Sequence, residues 1–326
     1  MDLITLSQKF NTHKKCVEHL TWVRWGDNII CPHCDGSGIT PREINKNSAR
    51  KTQHRNVPQY HCNGCNKDFS VLTKTIFESS KMAMNKWYLL IALLLDAKKG
   101  MSSMQLSRSL KISYRTAWFC AMKVRCSMLA QEKLLSGTVE MDATYIGGRP
   151  KYRYNPANPK APIMKGLRGK GTKKIPVVAM VERGGRVVFK VMEATPNQKT
   201  MVQMLKHYGD MENIQMMTDD GSEFKAFKKI VPQQTVNHSQ YEYVRDEVHT
   251  NTVEGLFGLV KSSIKGQYHS LSKKYLPFYL SEFAYKYNVR SKKMDFLAIL
   301  RQAVSVVKQV VRYKPVRDTM QIAYGR

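Results

Sequence analysis

The stretch Val139-Glu-Met-Asp-Ala-Thr-Tyr-Ile146 decides the fold of the second half of the chain. Apolar and polar residues alternate along it, which is the pattern of a β-strand with one face against a core. Asp142 interrupts the apolar β-formers in this stretch. An aspartate near a strand end is often only a turn residue, but its position also suits a carboxylate presented by a buried strand.

Strands and helices alternate after this segment, which predicts an α/β domain over residues 136–290. Further strands are predicted at 175–182, 186–193, 214–219 and 233–238. Helices are predicted at 201–208, 222–230, 251–264 and 276–288. The first two of these strands are joined across Arg183-Gly184-Gly185, a hairpin turn.

Two more acids accompany Asp142. Asp219 ends the strand 214–219, and Glu254 lies on the helix 251–264. At 100° per residue that helix carries a polar stripe opposite its apolar residues, and the stripe consists of Asn251, Glu254, Gly258, Lys261 and Lys265. We expect the three acids to converge where the strands end.

Such a group of carboxylates suits phosphodiester chemistry. Two Mg²⁺ or Mn²⁺ ions held about 3.5–4 Å apart by carboxylates activate an attacking water or 3′-hydroxyl and stabilise the leaving oxygen. Lys261 and Lys265 would hold the substrate strand by its phosphates.

The charge of the chain favours a nucleic-acid partner. Its 326 residues contain 53 Lys and Arg against 25 Asp and Glu, a net charge of +28, and each phosphate contact by such groups releases a counterion. A basic surface that only maintains solubility is the alternative. The longest apolar run, 87–95, is far shorter than the roughly 20 residues of a membrane span. Without a secretory signal at the N-terminus, we expect a protein of the cytoplasm.

Four of the seven cysteines form two C-x-x-C pairs. The pairs Cys31/Cys34 and Cys62/Cys65 can provide four thiolates for one structural zinc ion with no open position. An iron–sulfur cluster or a redox pair is the alternative. Neither His33 nor His61, which adjoin the pairs, is needed as a ligand.

The N-terminal half is predicted to form two segments. Residues 1–80 contain a helix over Leu6–Trp22 and the cysteine pairs, and residues 81–135 contain helices over 85–97, from 102, and over 114–129. The last two helices have a helix-turn-helix pattern, although any three-helix bundle would look similar. The third helix carries three DNA-binding candidates, Arg115, Lys123 and Arg125.

A basic loop is predicted between the first two strands of the α/β domain. Residues 149–174 contain nine Lys or Arg, four Pro and no acid, which favours a clamp on a phosphate backbone over a merely solvated loop. The candidates there are Arg168, Lys170, Lys173 and Lys174. Residues 291–326 are predicted to form a basic C-terminal helix and tail.

Five segments together carry a family resemblance: CPHC, YHCNGCNKDFSVLTKTIF, MDATYIGGRP, TDDGSEF and HTNTVEGLFGLVKSSIKGQYH. They resemble the bacterial insertion-sequence transposases of the fifteen-ninety-five group, relatives of the eukaryotic Merlin transposons. The likeness runs from about residue 10 to 290. It implies a multidomain chain in which an N-terminal zinc ribbon precedes a DDE catalytic domain of RNase H-like fold with a mixed sheet.

The resemblance also implies the roles of the acids. Asp142 matches the first catalytic acid, and Asp219, which precedes a glycine by two residues, matches the second. The third position is Asn or Glu in this group. We choose Glu254 over Asn251, because a charged ligand holds Mg²⁺ better and because Lys261 lies seven residues further along the same stripe. His249 is a candidate to orient a neighbour or contact phosphate.

The function implied is that of a DNA transposase, associated with the nucleoid of a bacterium. It would cut double-stranded DNA at the terminal inverted repeats of its element and join the 3′ ends to target DNA, acting as a homodimer or larger assembly. Two alternatives stay open at this point: a DNA-binding regulator whose RNase H-like domain is inactive, and a nuclease that cuts without joining.

Overall fold

The computed structural model describes residues 2–42, 57–129, 134–147, 174–237, 240–290 and 296–305. These residues divide into two compact units. The N-terminal unit contains the described residues up to 129 together with those from 289 onward, and the sheet unit contains the described residues from 134 to 288.

Two helices open the N-terminal unit, α1 (Leu3–Lys9) and α2 (His13–Trp25). The prediction of one continuous helix over this region was wrong, because Thr12 interrupts it. The Thr12 backbone is extended, and its hydroxyl accepts a hydrogen bond from the backbone N–H of Lys15 at 3.3 Å. A side chain that caps the first turn in this way begins a new helix.

A small antiparallel sheet follows, with strands in the order β1 (Ile39–Arg42), β2 (Gln59–Cys62) and β3 (Lys67–Ser70). Among the described residues, its buried core consists of four side chains, Cys31, Tyr60, Cys62 and Phe69, with Trp25 packed against them. So small a core needs a further cross-link to hold three short strands together.

Three helices follow the small sheet in this unit: α3 (Met84–Asp96), α4 (Ser103–Leu110) and α5 (Tyr114–Ser127). Ser102 and Ser113 precede α4 and α5 and cap them, since each hydroxyl accepts from a backbone N–H three residues on, at 3.2 Å. Only three residues join α4 to α5, and one of them, Lys111, adopts a left-handed φ of 49°.

The sheet unit is built on a five-stranded mixed sheet. Its strands are β4 (Leu135–Ile146), β5 (Ile175–Glu182), β6 (Val187–Val191), β7 (Gly209–Asp219) and β8 (Gln233–Val236). They lie in the order β6-β5-β4-β7-β8. Antiparallel pairing joins β4, β5 and β6, whereas β7 and β8 run parallel to β4. This is the strand order of the RNase H-like fold, so the predicted fold class is confirmed.

Helices cover both faces of this sheet. On one face α6 (Gln198–Tyr208) buries Met201, Met204 and Leu205 against the side of β4 that carries Met141. On the other, α7 (Asn251–Ser263) and α8 (Leu276–Asn288) pack on the side of β5 that carries Ala179. A short hairpin, β9 (Val244–Arg245) with β10 (Val248–His249), leads into α7.

After the sheet unit the chain returns to the N-terminal unit as α9 (Phe296–Ser305). Half of this helix is buried, and Phe296 contacts Tyr88 of α3. The described part of the predicted basic C-terminal segment is therefore an apolar packing helix, and residues 306–326 lie outside the described residues. None of the helices described is long and apolar enough to cross a membrane.

Candidate metal and catalytic sites

Four cysteine thiols meet in the small sheet. The Sγ atoms are 3.6 Å apart in the pair Cys31–Cys65 and 3.6 Å apart in the pair Cys34–Cys62, and all four lie within 4.8 Å of one another. A tetrahedral zinc ion with Zn–S bonds of about 2.3 Å places its sulfurs about 3.8 Å apart, whereas a disulfide needs about 2.05 Å. The donor set therefore fits one structural zinc ion.

Local hydrogen bonds reach two of these thiols, Cys31 and Cys62, whereas desolvation and the neighbouring thiols raise the pKa of Cys65 to about 12. The backbone N–H of Cys65 lowers the pKa of Cys62 to about 7, and the backbone N–H of His33 donates to the Cys31 sulfur at 3.4 Å. The ring of His61 contacts Asp68 instead, with 2.8 Å between Nδ1 and Oδ1. Its neighbour Cys62 is the residue that belongs to the thiol cluster.

Asp142 and Asp219 occupy equivalent places on neighbouring strands. The parallel pairing of β4 with β7 puts Glu140 opposite Met217, so Asp142 and Asp219, each two residues further on, come level with each other. Side chains two residues apart point to the same face. Both carboxylates therefore lie on the α7 face of the sheet.

The backbone holds these two carboxylates in place. The Ala143 N–H donates to Asp142 Oδ1 at 2.6 Å, and the Gly221 N–H donates to Asp219 Oδ1 at 3.1 Å. At Gly221 a Cβ would lie 2.8 Å from Asp219 Oδ1, too close for a side chain. The glycine thus permits the turn that orients Asp219.

The stripe predicted on α7 faces solvent. Asn251, Glu254, Lys261 and Lys265 are exposed, whereas Val253, Leu256, Phe257 and Val260 are buried against the sheet. The Thr250 hydroxyl donates to Glu254 Oε1 at 2.9 Å. The exposed acid is therefore held close to the beginning of the helix, where the dipole favours a negative charge.

Electrostatics links the three acids and Lys261. The pKa of Asp142 is raised to about 7, mainly by burial; the charges of Asp219 and Glu254 contribute to the rise, whereas the Ala143 N–H and the Lys261 charge oppose it. Of the residues described, the cysteines are the group of three or more potential ligands that lies within 4.8 Å. Among the described residues, Asp142, Asp219 and Glu254 do not form so close a group.

The raised pKa predicts that Asp142→Asn stabilises the sheet unit in the absence of divalent ions. Below pH 3.8, the ordinary pKa, the carboxyl is protonated in the folded and unfolded chain alike. Above pH 3.8 the unfolded chain loses this proton, whereas the folded chain retains it up to about pH 7 and encloses the charge above that pH. The carboxyl group therefore opposes folding more strongly as the pH rises. We expect the asparagine variant to gain on the order of 1–3 kcal/mol in unfolding free energy above pH 7, allowing for partial contact with water.

Urea unfolding followed between pH 4 and pH 9 measures this gain. The difference between variant and parent should grow as the pH rises and then level off. A gain that is constant with pH would contradict the assignment, because it would reflect packing and not charge.

The structure corrects two predicted DNA contacts. Lys123 and Arg125 are only 3% and 0% exposed, because the C-terminal half of α5 is enclosed on all sides. The Lys123 ammonium donates to the Glu78 carbonyl at 3.0 Å, and burial lowers its pKa. Because neither side chain is exposed, neither is expected to contact DNA.

The other DNA-binding candidates have different placements. Arg115, Lys261 and Lys265 are exposed, and Lys174 is half-buried just before β5. Arg168, Lys170 and Lys173 lie outside the described residues, as does the predicted basic loop up to residue 173.

Sequence reasoning overlooked a second buried acid in β4. Glu140 is fully buried and pairs with Arg183, with 2.7 Å between Oε1 and Nε. The indication was present, since Glu140 interrupts the same apolar strand as Asp142 and alternation places both on one face.

Comparison with known proteins agrees with both units. The transposase zinc-ribbon domain matches residues 11–68, and the ISXO2-like transposase domain matches residues 134–288. An uncharacterized protein in transposable element ISH50 of Halobacterium salinarum is 26% identical over 286 residues, which are 84% of this chain and 90% of that protein.

Two solved structures are also similar. The Mos1 transposase paired-end complex with left transposon end is 13% identical, and the match covers 68% of this chain and 75% of the Mos1 chain with a TM-score of 0.29. The Mos1 strand transfer complex is also 13% identical. That match covers 73% of this chain and 77% of the Mos1 chain, with a TM-score of 0.28.

The two domain matches lie where the ribbon and the mixed sheet were described, and together they span 213 of the 326 residues. The resemblance found in the sequence is confirmed. The chain belongs to the ISXO2-like insertion-sequence transposases that carry an N-terminal zinc ribbon.

Proposed function

We propose that this transposase cuts double-stranded DNA at the terminal inverted repeats of its insertion sequence and joins the freed 3′ ends to target DNA. One observation carries the proposal. Asp142 and Asp219 come level on neighbouring parallel strands, and the charges of both Asp219 and Glu254 act on Asp142. These relations support one site shared by three acids from distant parts of the chain.

Asp142, Asp219 and Glu254 would hold two Mg²⁺ or Mn²⁺ ions, since these ions prefer carboxylate oxygens. When bound, two such ions activate the attacking water or 3′-hydroxyl and stabilise the leaving oxygen. Lys261 lowers the pKa of Asp142, so it favours the ionised carboxylate that binds a metal. Its exposed ammonium also suits a phosphate of the strand being cut.

For the third ligand we propose Glu254 and not Asn251. Both are exposed on α7, but Glu254 carries a charge that acts on Asp142 and is oriented by the Thr250 hydroxyl. An amide oxygen is a weaker ligand for Mg²⁺ than a carboxylate.

We therefore expect Glu254→Gln to reduce DNA strand cleavage by at least about 10²-fold, a loss of roughly 3 kcal/mol of transition-state stabilisation. Asn251→Ala should reduce it by less than about 10-fold. Single-turnover cleavage of an end-labelled oligonucleotide in Mg²⁺ measures both. The reverse order of effects would make Asn251 the ligand.

The DNA partner follows from the net charge of +28. The exposed candidates Arg115, Lys261 and Lys265, with half-buried Lys174, would contact phosphates, and each contact steepens the salt dependence of binding. We propose that the basic residues Arg168, Lys170 and Lys173 contact phosphates as well. Because two ends must be brought together, we propose that at least two chains act in one complex.

A donor plasmid tests the function directly. It would carry a marker between the DNA segments that flank the gene on either side, with the transposase supplied from a second plasmid. We expect marker insertions bordered by short target duplications. Nicked ends without joined products would identify a nuclease, and binding without cutting would identify a regulator.

A further inference from the structure

The sheet unit holds a buried carboxylate that the proposed chemistry does not use. Glu140 is 0% exposed and lies two residues before Asp142 on the same face of β4. Its carboxylate accepts hydrogen bonds from Arg183 Nε at 2.7 Å, from the Thr252 hydroxyl at 2.8 Å and from the Val253 backbone N–H at 2.9 Å. It therefore connects the central strand directly to the first turn of α7.

Arg183 extends this connection to the hairpin that precedes α7. Its Nη1 donates to the Glu247 carbonyl at 2.8 Å, and its Nη2 donates to the His249 carbonyl at 3.0 Å. The His249 Nδ1 atom lies 3.3 Å from Glu140 Oε1. One guanidinium thus fixes the path of the chain from β10 into α7.

The beginning of α7 depends on Glu140 as its cap. The first N–H groups of a helix have no partner within the helix, and the usual cap is the side chain of the residue just before it. Thr250 makes no such bond and donates to Glu254 instead. Glu140 supplies the missing acceptor, and its negative charge suits the helix N-terminus.

We propose that Glu140 and Arg183 are positioning residues that set α7 against β4 so that Glu254 stands beside Asp142. The inference rests on the proposed two-metal site. Glu140 is two residues from one proposed ligand along β4, and it bonds the N–H of Val253, the residue before the other. A buried ion pair is a poor source of net stability, but here it sets the register between the two elements that carry these ligands.

Glu140→Gln tests the proposal, because it keeps the shape of the side chain but replaces one of its two accepting oxygens by a donor, so either Val253 or the pair Arg183 and Thr252 loses its acceptor. Calorimetric titration of the zinc-loaded, DNA-free protein with Mn²⁺ is the readout. We expect the affinity for Mn²⁺ to fall by about 10–100-fold, as for other groups that orient metal ligands. Arg183→Lys keeps the positive charge but removes the planar guanidinium, and it should reduce the affinity for Mn²⁺ by a smaller factor.

Glu182→Gln is the matched control, since Glu182 ends β5 and pairs only loosely with Arg186, at 3.9 Å. It should leave the Mn²⁺ affinity within about 2-fold of the parent. The double variant Glu140→Gln/Arg183→Met separates positioning from plain stability, because removing both charges leaves neither buried alone. Its melting temperature should recover towards the parent while its Mn²⁺ affinity stays low.

Two results would overturn the inference. One is unchanged Mn²⁺ binding by Glu140→Gln while Asp142→Asn abolishes it, which would leave the proposed function intact. The other is recovery of Mn²⁺ affinity together with stability in the double variant. If Asp142→Asn itself binds Mn²⁺ like the parent, the two-metal site fails and the positioning role fails with it.

Discussion

Replacing Asp219 by asparagine is expected to reduce both strand cleavage and strand transfer by at least about 10³-fold. Asp219 comes level with Asp142 beside the central strand, and an amide there would remove one charged ligand from the ions that stabilise the transition state. A lost interaction of several kcal/mol reduces a rate tenfold for every 1.4 kcal/mol. Binding of end DNA, measured by gel shift in EDTA, should not weaken, since a carboxylate without a bound ion only repels phosphate.

The adjacent residue provides the control. Asp220→Asn makes the same chemical change at an exposed position one residue further on, where alternation turns the side chain away from Asp142. We expect cleavage within about 3-fold of the parent. Equal losses in the two variants would show that the turn, and not the Asp219 carboxylate, is what the activity requires.

Much of this architecture was predictable because local sequence patterns indicate it. The strand 139–146 alternates, the α7 stripe repeats every 3.6 residues, and each cysteine pair is contained in four residues. Such patterns record which face of an element is buried. The α/β class followed from their order along the chain, and the RNase H-like fold followed from the family resemblance.

Contacts between distant residues were not predictable in the same way. Glu140 and Arg183 are 43 residues apart, and Arg183 looked like an ordinary hairpin-turn residue next to two glycines. Only the unexplained acid in an apolar strand pointed to a partner. No local rule identifies which of the many arginines and lysines that partner is.

Charge was misleading for α5. Lys123 and Arg125 were assigned to DNA because basic side chains usually lie in water. A lysine can nevertheless be buried when a carbonyl such as that of Glu78 accepts its hydrogen bond, and periodicity cannot show that a helix is enclosed on every side. The exposed base Arg115, near the beginning of the same helix, keeps its predicted role as a proposal.

Loss of the cysteine cluster is expected to have the largest effect on stability. We expect Cys34→Ser to abolish stoichiometric zinc binding and to unfold the small sheet β1–β3. A structural zinc site contributes roughly 10–16 kcal/mol of apparent binding energy to folding, and the few buried side chains around Tyr60 and Phe69 cannot replace it. Metal analysis and hydrogen exchange of the amides in 57–70, both on the full chain, measure the result.

Comparison with Cys126→Ser separates a role of these cysteines in zinc binding from a role in packing. Cys34 is exposed, whereas Cys126 is buried in α5, away from the thiol cluster. If packing were the whole role of these thiols, the change at Cys126 would do more harm. With zinc as the cross-link, Cys126→Ser should cost about 1–2 kcal/mol and retain one zinc ion per chain. Retention of that ion and of slow amide exchange by Cys34→Ser would refute the structural zinc.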